Sequence, residues 1–404
     1  MRCHVAIIGA GPAGLALGHM LHLQGIDAVV VEHRSRTHVE RRVRAGILEH
    51  VSVDLLTELG LGTRLHQHAL VHDGFYVRFD RRTHHLDLHA HSGRHSFVYG
   101  QAQLVGDLVA ARLDAGLPLH FGARDVSIEG IDTDHPSVTF SQSGQTHRLE
   151  ADFIAGCDGS QGICRTLPPS GALTRFVRSY PMAWLGILAR TAPVTAEGMY
   201  CVHPEGLSLH SMRGTEITRQ YLQVPADTDP REWSDERIWK ELLRRSESDD
   251  HPPLQTGEIL DRSLAHLRSE VTEPMQYGSL FLLGDAAHIV PPTGAKGLNL
   301  ALSDACVLSH AFGAHYNFGD RSFLDTYSAT ALPRVWQAQH FSASLTAVLH
   351  QIDGDPMDWP LRRARLNRWV TSAAEQTALA EVYFGLPFPT PWRFDGVPHT
   401  ATHI

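Results

Sequence analysis

The chain opens with a short apolar strand, His4–Ile8, and then Gly9-Ala10-Gly11-Pro12-Ala13-Gly14. A helix-patterned stretch follows over Ala13–Gln24, with Leu15, Leu17, Met20, Leu21 and Leu23 apolar and Gly25 as its stop. A Val-rich strand, Asp27–Glu32, then ends on an acid. This order is a βαβ opening. The first glycine permits the tight turn. The second lets the backbone approach a pyrophosphate, and the third lets the helix pack on the strand. Glu32 can accept hydrogen bonds from ribose hydroxyls, and it repels a 2′-phosphate.

Two later turns repeat the theme of an acid at a strand end. Cys157-Asp158-Gly159 follows the apolar run Phe153-Ile154-Ala155. Gly284-Asp285 follows the apolar run Leu280–Leu283 and leads into a Pro/Gly-rich loop, with a helix beginning near Asn299. A backbone that bends around small residues can lie flat against a planar ligand. The first turn of the helix then offers unpaired N–H groups to an electron-rich edge.

Between these turns the pattern changes. Residues 50–70 read as helix, stopping at Gly60, and residues 101–115 read as helix again, stopping at Gly116. Strands are expected near 124–131, 136–141 and 147–155. Strand-like alternation runs from about 175 to 275, broken by one helix that starts at Ser234. Three helical stretches follow the 281–305 run to about 383. The last 20 residues, rich in Pro and Phe, read as irregular surface chain. A dinucleotide unit is thus interrupted by a mainly β segment and then resumed, and the two regions should face each other across a cleft.

At 404 residues the chain can hold two or three domains. Its net charge of −9 and lack of a basic block argue against nucleic acid and anionic membrane partners. No apolar run has the length of a membrane span. The N-terminus reads as strand and turn rather than a secretory leader. The 5 cysteines are odd in number with no CxxC pair, which suits reduced thiols in the cytoplasm. His84, His85, His89, His91 and His95 crowd one segment. No Cys/His ligand spacing supports a metal there, so it reads as the polar face of a strand pair turning at Ser92-Gly93.

The order GxGxxG, DG, GD resembles the single-component flavoprotein aromatic hydroxylases, which bind FAD. The resemblance runs from about residue 3 to 388. It is most specific in RAGILE (44–49), VYGQ (98–101), AGCDG (155–159), WSDERIW (233–239) and GDAAHIVPPTGAKGLNLA (284–301). It implies an α/β fold, α+β overall. A Rossmann-like FAD-binding domain (1–175) is interrupted by a mainly β substrate domain (176–280). A flavin-contacting loop and C-terminal helical, interface-forming region (281–404) follow. The implied activity is hydroxylation of 4-hydroxybenzoate to 3,4-dihydroxybenzoate with O2 and NAD(P)H, through a C4a-hydroperoxyflavin. A homodimer is implied as well.

The resemblance also assigns roles. Tyr200 would hydrogen-bond the substrate hydroxyl, Tyr383 would follow it in a proton relay, and His72 would be the outer end. Arg213 would anchor the substrate carboxylate with a bidentate fork, beside Ser211 and Tyr221, and the Pro292 carbonyl would meet the substrate hydroxyl. Cofactor contacts fall on Gly9, Gly11, Ala13, Gly14, Glu32, Arg42, Arg44, Ile47, Gln101, Asp285, Leu298 and Asn299. Arg219 would help control flavin position, and Lys296 would add charge nearby. Nicotinamide binding falls on Arg34, Arg44 and Arg268. The two arginines in the 33–38 segment favour NADPH over NADH.

The chain departs from the family at three places. Gln161 replaces the usual histidine next to AGCDG. Gly198 replaces a bulky apolar residue two before Tyr200 and could open the pocket. The tail beyond 388 is longer than usual. Two other readings follow: the same chemistry on a substituted 4-hydroxybenzoate or on 4-aminobenzoate, and a flavin-binding protein without hydroxylase activity.

Overall fold

A computed structural model describes residues 1–42, 46–352 and 354–396. Val5, Ala6 and Ile7 are consecutive and have no exposed surface, so the strand Arg2–Ile8 is buried on both faces, as the middle of a parallel sheet requires. It pairs in parallel with Gln145–Gly156 on one side and Ala28–Glu32 on the other. Leu280–Leu282 extends the sheet beyond Gln145–Gly156, and Leu119–Phe121 extends it beyond Ala28–Glu32. The helix Pro12–Leu23 returns the chain between the first two strands and packs against the helices Gln101–Asp114 and Gly297–Phe318.

A second sheet is antiparallel over most of its width. Its centre is Thr174–Ala189, Met199–His203, Gly206–Met212, Thr218–Pro225 and Ile259–Glu273. His288–Ile289 edges it on one side, and the hairpin Gly74–Phe79/Arg82–Asp87 on the other. Period-two alternation divides its side chains. Ala183, Leu185 and Ile187 pack with Ile238, Trp239 and Leu242 of the helix Asp235–Arg245. Met182 and Trp184 point to the other face, with Tyr200, Leu209, Phe341, Leu345, Trp369 and Tyr383. That second face is where the sheet meets the C-terminal helices Tyr327–Leu349, Asp358–Thr371 and Ala373–Tyr383.

Most expected elements are present, with three corrections. The 50–70 stretch is two helices, His50–Glu58 and Gly62–His68, because Gly60 adopts φ +79° and turns the chain. The His-rich segment is not a strand pair turning at Ser92-Gly93. Arg82–Asp87 pairs back to Gly74–Phe79, His89–Ser92 is a single helical turn, and Ser96–Val98 joins a small sheet with Ile47–Leu48 and Leu70–His72. The described tail, to residue 396, is irregular but does not merely lie on the surface. Trp392 and Phe394 are buried, and the Trp392 indole donates to Glu58 at 2.7 Å. Among the described residues, no helix is long and apolar enough to cross a membrane.

Candidate active site

Register places three of the motif turns, together with Glu32, at one edge of the parallel sheet. Ile8 lies opposite Gly156 and Val31, and Gly156 lies opposite Leu282. The turns at Gly9, Asp158 and Gly284, and the side chain of Glu32, therefore leave the carboxyl ends of four adjacent parallel strands. That edge is where open α/β sheets bind ligands.

The small residues there are needed for close approach. A Cβ on Gly9, whose φ is +109°, would stand 2.3 Å from the Cys157 carbonyl oxygen, and one on Gly14 would stand 2.2 Å from the Gly9 carbonyl. Gly11 instead faces open space, and no side chain caps the helix that begins after it. Its first amides, around Ala13, remain available to an anion. These features fit a pyrophosphate.

Glu32 is buried and already engaged. Its Oε2 accepts from Ala10 N and its Oε1 from Arg34 N, both at 2.7 Å. It braces the glycine turn; Oε1 also meets His33 Nδ1 at 3.1 Å, whereas Oε2 keeps one lone pair for a sugar hydroxyl. Asp158 accepts from Cys164 N at 2.9 Å through Oδ2, while its buried Oδ1 has no partner. Burial pushes its carboxyl above the usual range, against the Cys164 hydrogen bond.

The remaining cofactor candidates converge on the same edge. A Cβ on Gly284 would touch Ala13 and Ala301 at 3.4 and 3.3 Å, so the loop carrying half-buried Asp285 sits between the starts of two helices. Gly46 lies against Tyr99 and Gln101, where a Cβ would stand 2.7 Å from Gln101 N. Asn299 links Ile47 to this group, but its side chain is fully used by the protein. Its Oδ1 accepts from Glu49 N and Ser52 Oγ, and its Nδ2 donates to the carbonyls of Ile47 and Ala295. Only its backbone remains for a ligand. Leu298 is half-buried and Arg42 is exposed. Arg44 lies outside the described residues.

Lys296 is not solvated. Its Nζ is buried against Glu49 at 2.7 Å and the Tyr383 carbonyl at 3.0 Å, and Glu49 also binds Arg334 at 2.6 Å. Burial lowers its pKa, and Glu49 opposes that shift. Glu49 lies within RAGILE, yet its part in this network could not be read from the motif because both partners come from distant segments.

The second sheet supplies the other wall. Tyr200 and Tyr221 both lie opposite Leu209 on neighbouring strands, and Ser211 follows Leu209 on the same face. Tyr221 packs on Trp184 at 4.9 Å between ring centroids. Arg213 N donates to Ile217 O across the turn. Its side chain donates to the Met212 carbonyl at 2.9 Å and reaches Ser211 Oγ at 3.5 Å. Among the described residues no carboxylate pairs with it. Burial depresses its pKa, while Tyr221 favours the charged form. A half-buried guanidinium without a counter-ion is a site for an anion. Arg219 is taken by Ser263 at 2.6 Å and Asp261 at 3.3 Å.

The Tyr200 hydroxyl donates to the Thr293 carbonyl at 3.2 Å. Pro292 is exposed, and its carbonyl accepts from Ala295 N at 3.1 Å within a tight turn. Thr293, which the sequence reading did not single out, is therefore the residue that ties Tyr200 to the cofactor loop. Phe75 packs against both Tyr200 and Tyr383, with ring centroids at 5.3 and 5.2 Å, and Tyr200 is close enough to act electrostatically on the Tyr383 hydroxyl. Burial pushes both tyrosine hydroxyls well up in pKa. Ser96 lies beside the Tyr383 hydroxyl and pairs in register with His72. His72 is buried with Nε2 unpartnered, and its pKa is lowered by burial against the pull of Glu197 and Asp73. Tyr200, Tyr383, Ser96 and His72 are thus successive buried polar neighbours.

Arg34 is exposed after the Glu32 strand. Arg268 is half-buried on Ile259–Glu273, opposite Ser179. Gln161 is exposed just beyond Asp158.

Residues 2–342 match the FAD binding domain family. The p-hydroxybenzoate hydroxylase of Acinetobacter baylyi is 45% identical over 390 residues, covering 96% of each chain. A rifampicin monooxygenase of Rhodococcus hoagii is 28% identical, over 81% of this chain and 68% of its own. Among solved structures, the p-nitrophenol 4-monooxygenase of Pseudomonas putida superposes with a TM-score of 0.78 at 17% identity, covering 95% of this chain and 99% of its own.

Proposed function

The chain belongs to the FAD-dependent aromatic hydroxylases, and on that premise we propose that it hydroxylates 4-hydroxybenzoate to 3,4-dihydroxybenzoate with O2 and NAD(P)H. The observation that carries the substrate class is Arg213, a half-buried cation with no carboxylate partner among the described residues, on an otherwise apolar sheet face. A small aromatic carboxylate supplies the missing charge.

FAD would be held by the amides around Gly11 and Ala13, by Glu32, and by the edge formed by Ile47, Gln101, Asp285 and Leu298. When bound, it supplies the electron transfer from NAD(P)H to O2 and the electrophilic oxygen that the ring receives. The chain's own residues do the rest. Arg213 anchors the substrate carboxylate, and the hydroxyls of Ser211 and Tyr221 complete that grip. Trp184 and Leu209 keep water from the ring. Tyr200, held toward the cofactor loop by Thr293, faces the phenol.

A phenolate is a far better nucleophile than a phenol, so the phenolic proton must leave. Tyr200 and Tyr383 stay neutral because burial opposes their ionisation. Each can therefore accept one proton and release another without leaving a charge near the ring. Ser96 and His72 extend that route toward the surface.

Arg34 and Arg268 are proposed to meet the nicotinamide cofactor, with Arg34 favouring NADPH. The division at 175 and 280 stands as a proposal, with the 74–87 hairpin joining the second sheet from the first segment. A homodimer is proposed from the family. A cytoplasmic setting fits five cysteines that are all free and buried.

The test is NADPH consumption with 4-hydroxybenzoate, 4-aminobenzoate, ring-substituted 4-hydroxybenzoates and benzoate, with products identified. Strong stimulation by 4-hydroxybenzoate and formation of the catechol are expected. Equal stimulation by benzoate would remove the phenol, and with it Tyr200, from the account.

A further inference from the structure

The His-rich segment is not used by the chemistry above, and it holds a built cluster. We propose that Asp73, His89 and His95 form a binding site for a divalent transition-metal ion of the zinc class. This does not depend on the hydroxylase reading.

The backbone brings the three together. Leu70–His72 runs antiparallel to Ser96–Val98, with His72 opposite Ser96. Asp73 follows the first strand and His95 precedes the second, and they face each other with Oδ1 to Nδ1 at 2.7 Å. The single helical turn His89–Ser92 and Gly93, at φ +68°, bend the chain back over six residues. The bend lays the His89 ring on the His95 ring, with centroids at 4.1 Å and planes 12° apart.

The cluster is also braced. His89 N donates to the Asp73 carbonyl at 2.8 Å. Asp73 N is held by Glu197 Oε1 at 2.5 Å, and Gly74 N by the same oxygen at 3.1 Å. His89 places Nδ1 at 3.1 Å from the Arg94 carbonyl. A histidine whose Nδ1–H is given to a carbonyl presents its Nε2 lone pair to a metal, the usual outer-shell arrangement of such ligands.

One ligand atom from each residue lies within 4.8 Å of the other two. Ligands around a tetrahedral ion with bonds of about 2.0 Å stand roughly 3.3 Å apart, so closing the set requires one imidazole to rotate out of the His89–His95 stack until both in-plane lone pairs meet the ion. Two imidazoles and a carboxylate suit a borderline ion such as zinc rather than magnesium or calcium. Three protein ligands leave the fourth position to water. All three residues are half-buried, so an ion can reach them from solvent. Local sequence spacing could not reveal the site, because Asp73 comes from a strand end sixteen positions before His89.

The test is equilibrium dialysis of the FAD-loaded full chain against micromolar Zn2+, with metal content measured by mass spectrometry and no aromatic acid present. One tight ion per chain is expected. His89→Ala, His95→Ala and the near-isosteric Asp73→Asn should each weaken it tenfold or more, whereas His22→Ala, an exposed histidine elsewhere, should not. Uptake that is equal in wild type and His95→Ala, or lost as much in His22→Ala, overturns the site. Asp73→Asn keeps the test decisive if a histidine variant folds poorly. Because no turnover is read, failure here leaves the hydroxylase reading untouched, and the reverse holds too.

Discussion

The hydroxyl of Tyr200 donates to the backbone carbonyl of Thr293 at 3.2 Å. Tyr200 belongs to the sheet that carries Arg213, and Thr293 to the loop that follows Asp285. This hydrogen bond joins the proposed substrate wall to the proposed cofactor wall, and it fixes the hydroxyl that must meet the phenol.

Tyr200→Phe removes that hydroxyl and little else. The expected variant binds FAD and 4-hydroxybenzoate, but hydroxylates on the order of 100-fold more slowly, as loss of a proton-transfer group does. Reducing equivalents should leave as hydrogen peroxide, measurable with and without catalase. Retention of tight coupling would take Tyr200 out of the relay.

Arg213→Gln should raise KM for 4-hydroxybenzoate about 100-fold, equivalent to ~3 kcal/mol for a truncated charge-assisted anchor. Because Arg213 has no carboxylate partner among the described residues, its loss should not lower the melting temperature. A variant that melts much earlier yet binds the acid normally would give the residue a structural role instead.

Asn299→Ala tests whether that side chain serves the protein rather than the flavin. It strands two donors and two carbonyls at the junction of Ile47, Glu49, Ser52 and Ala295. The expected cost is roughly 2–4 kcal/mol in denaturant unfolding of the FAD-free chain. An unchanged midpoint with weakened FAD binding would favour direct flavin contact.

Stability should fall in mild acid. His350 accepts from the Trp184 indole at 2.7 Å and donates to the Thr346 carbonyl at 3.0 Å, which requires the neutral ring. Burial pushes its pKa down to about 3, and that of His210 down to about 4. Between those values and the ordinary 6.5, the unfolded chain binds protons that the folded chain does not. Stability therefore decreases as pH falls, by up to about 1.4 kcal/mol per pH unit for each group. Melting curves from pH 7 to pH 4 should show the gap between wild type and His350→Asn narrowing. A constant gap would contradict this.

Much of the fold was legible because its signals are local. The GAGPAG turn, the acid at Glu32 and the Asp158 and Asp285 turns each follow an apolar strand, and all lie at one sheet edge. What escaped was short or distant. Leu70–His72 and Ser96–Val98 are three residues each, too brief for a period to show. The sequence places Asn299 beside the flavin and Lys296 as charge nearby, but their side-chain partners Ile47, Glu49 and Tyr383 come from segments far away in sequence and cannot be inferred from spacing. The Tyr200–Thr293 bond was also out of reach of the sequence, because it joins a strand to a loop 93 positions away.

The most direct test of the hydroxylase assignment is turnover of 4-hydroxybenzoate with NADPH under heavy-isotope dioxygen. The account predicts 3,4-dihydroxybenzoate carrying one heavy oxygen, at the new hydroxyl, with about one product formed per NADPH consumed. NADPH consumption that yields only peroxide, or a product whose new oxygen comes from water, would contradict it.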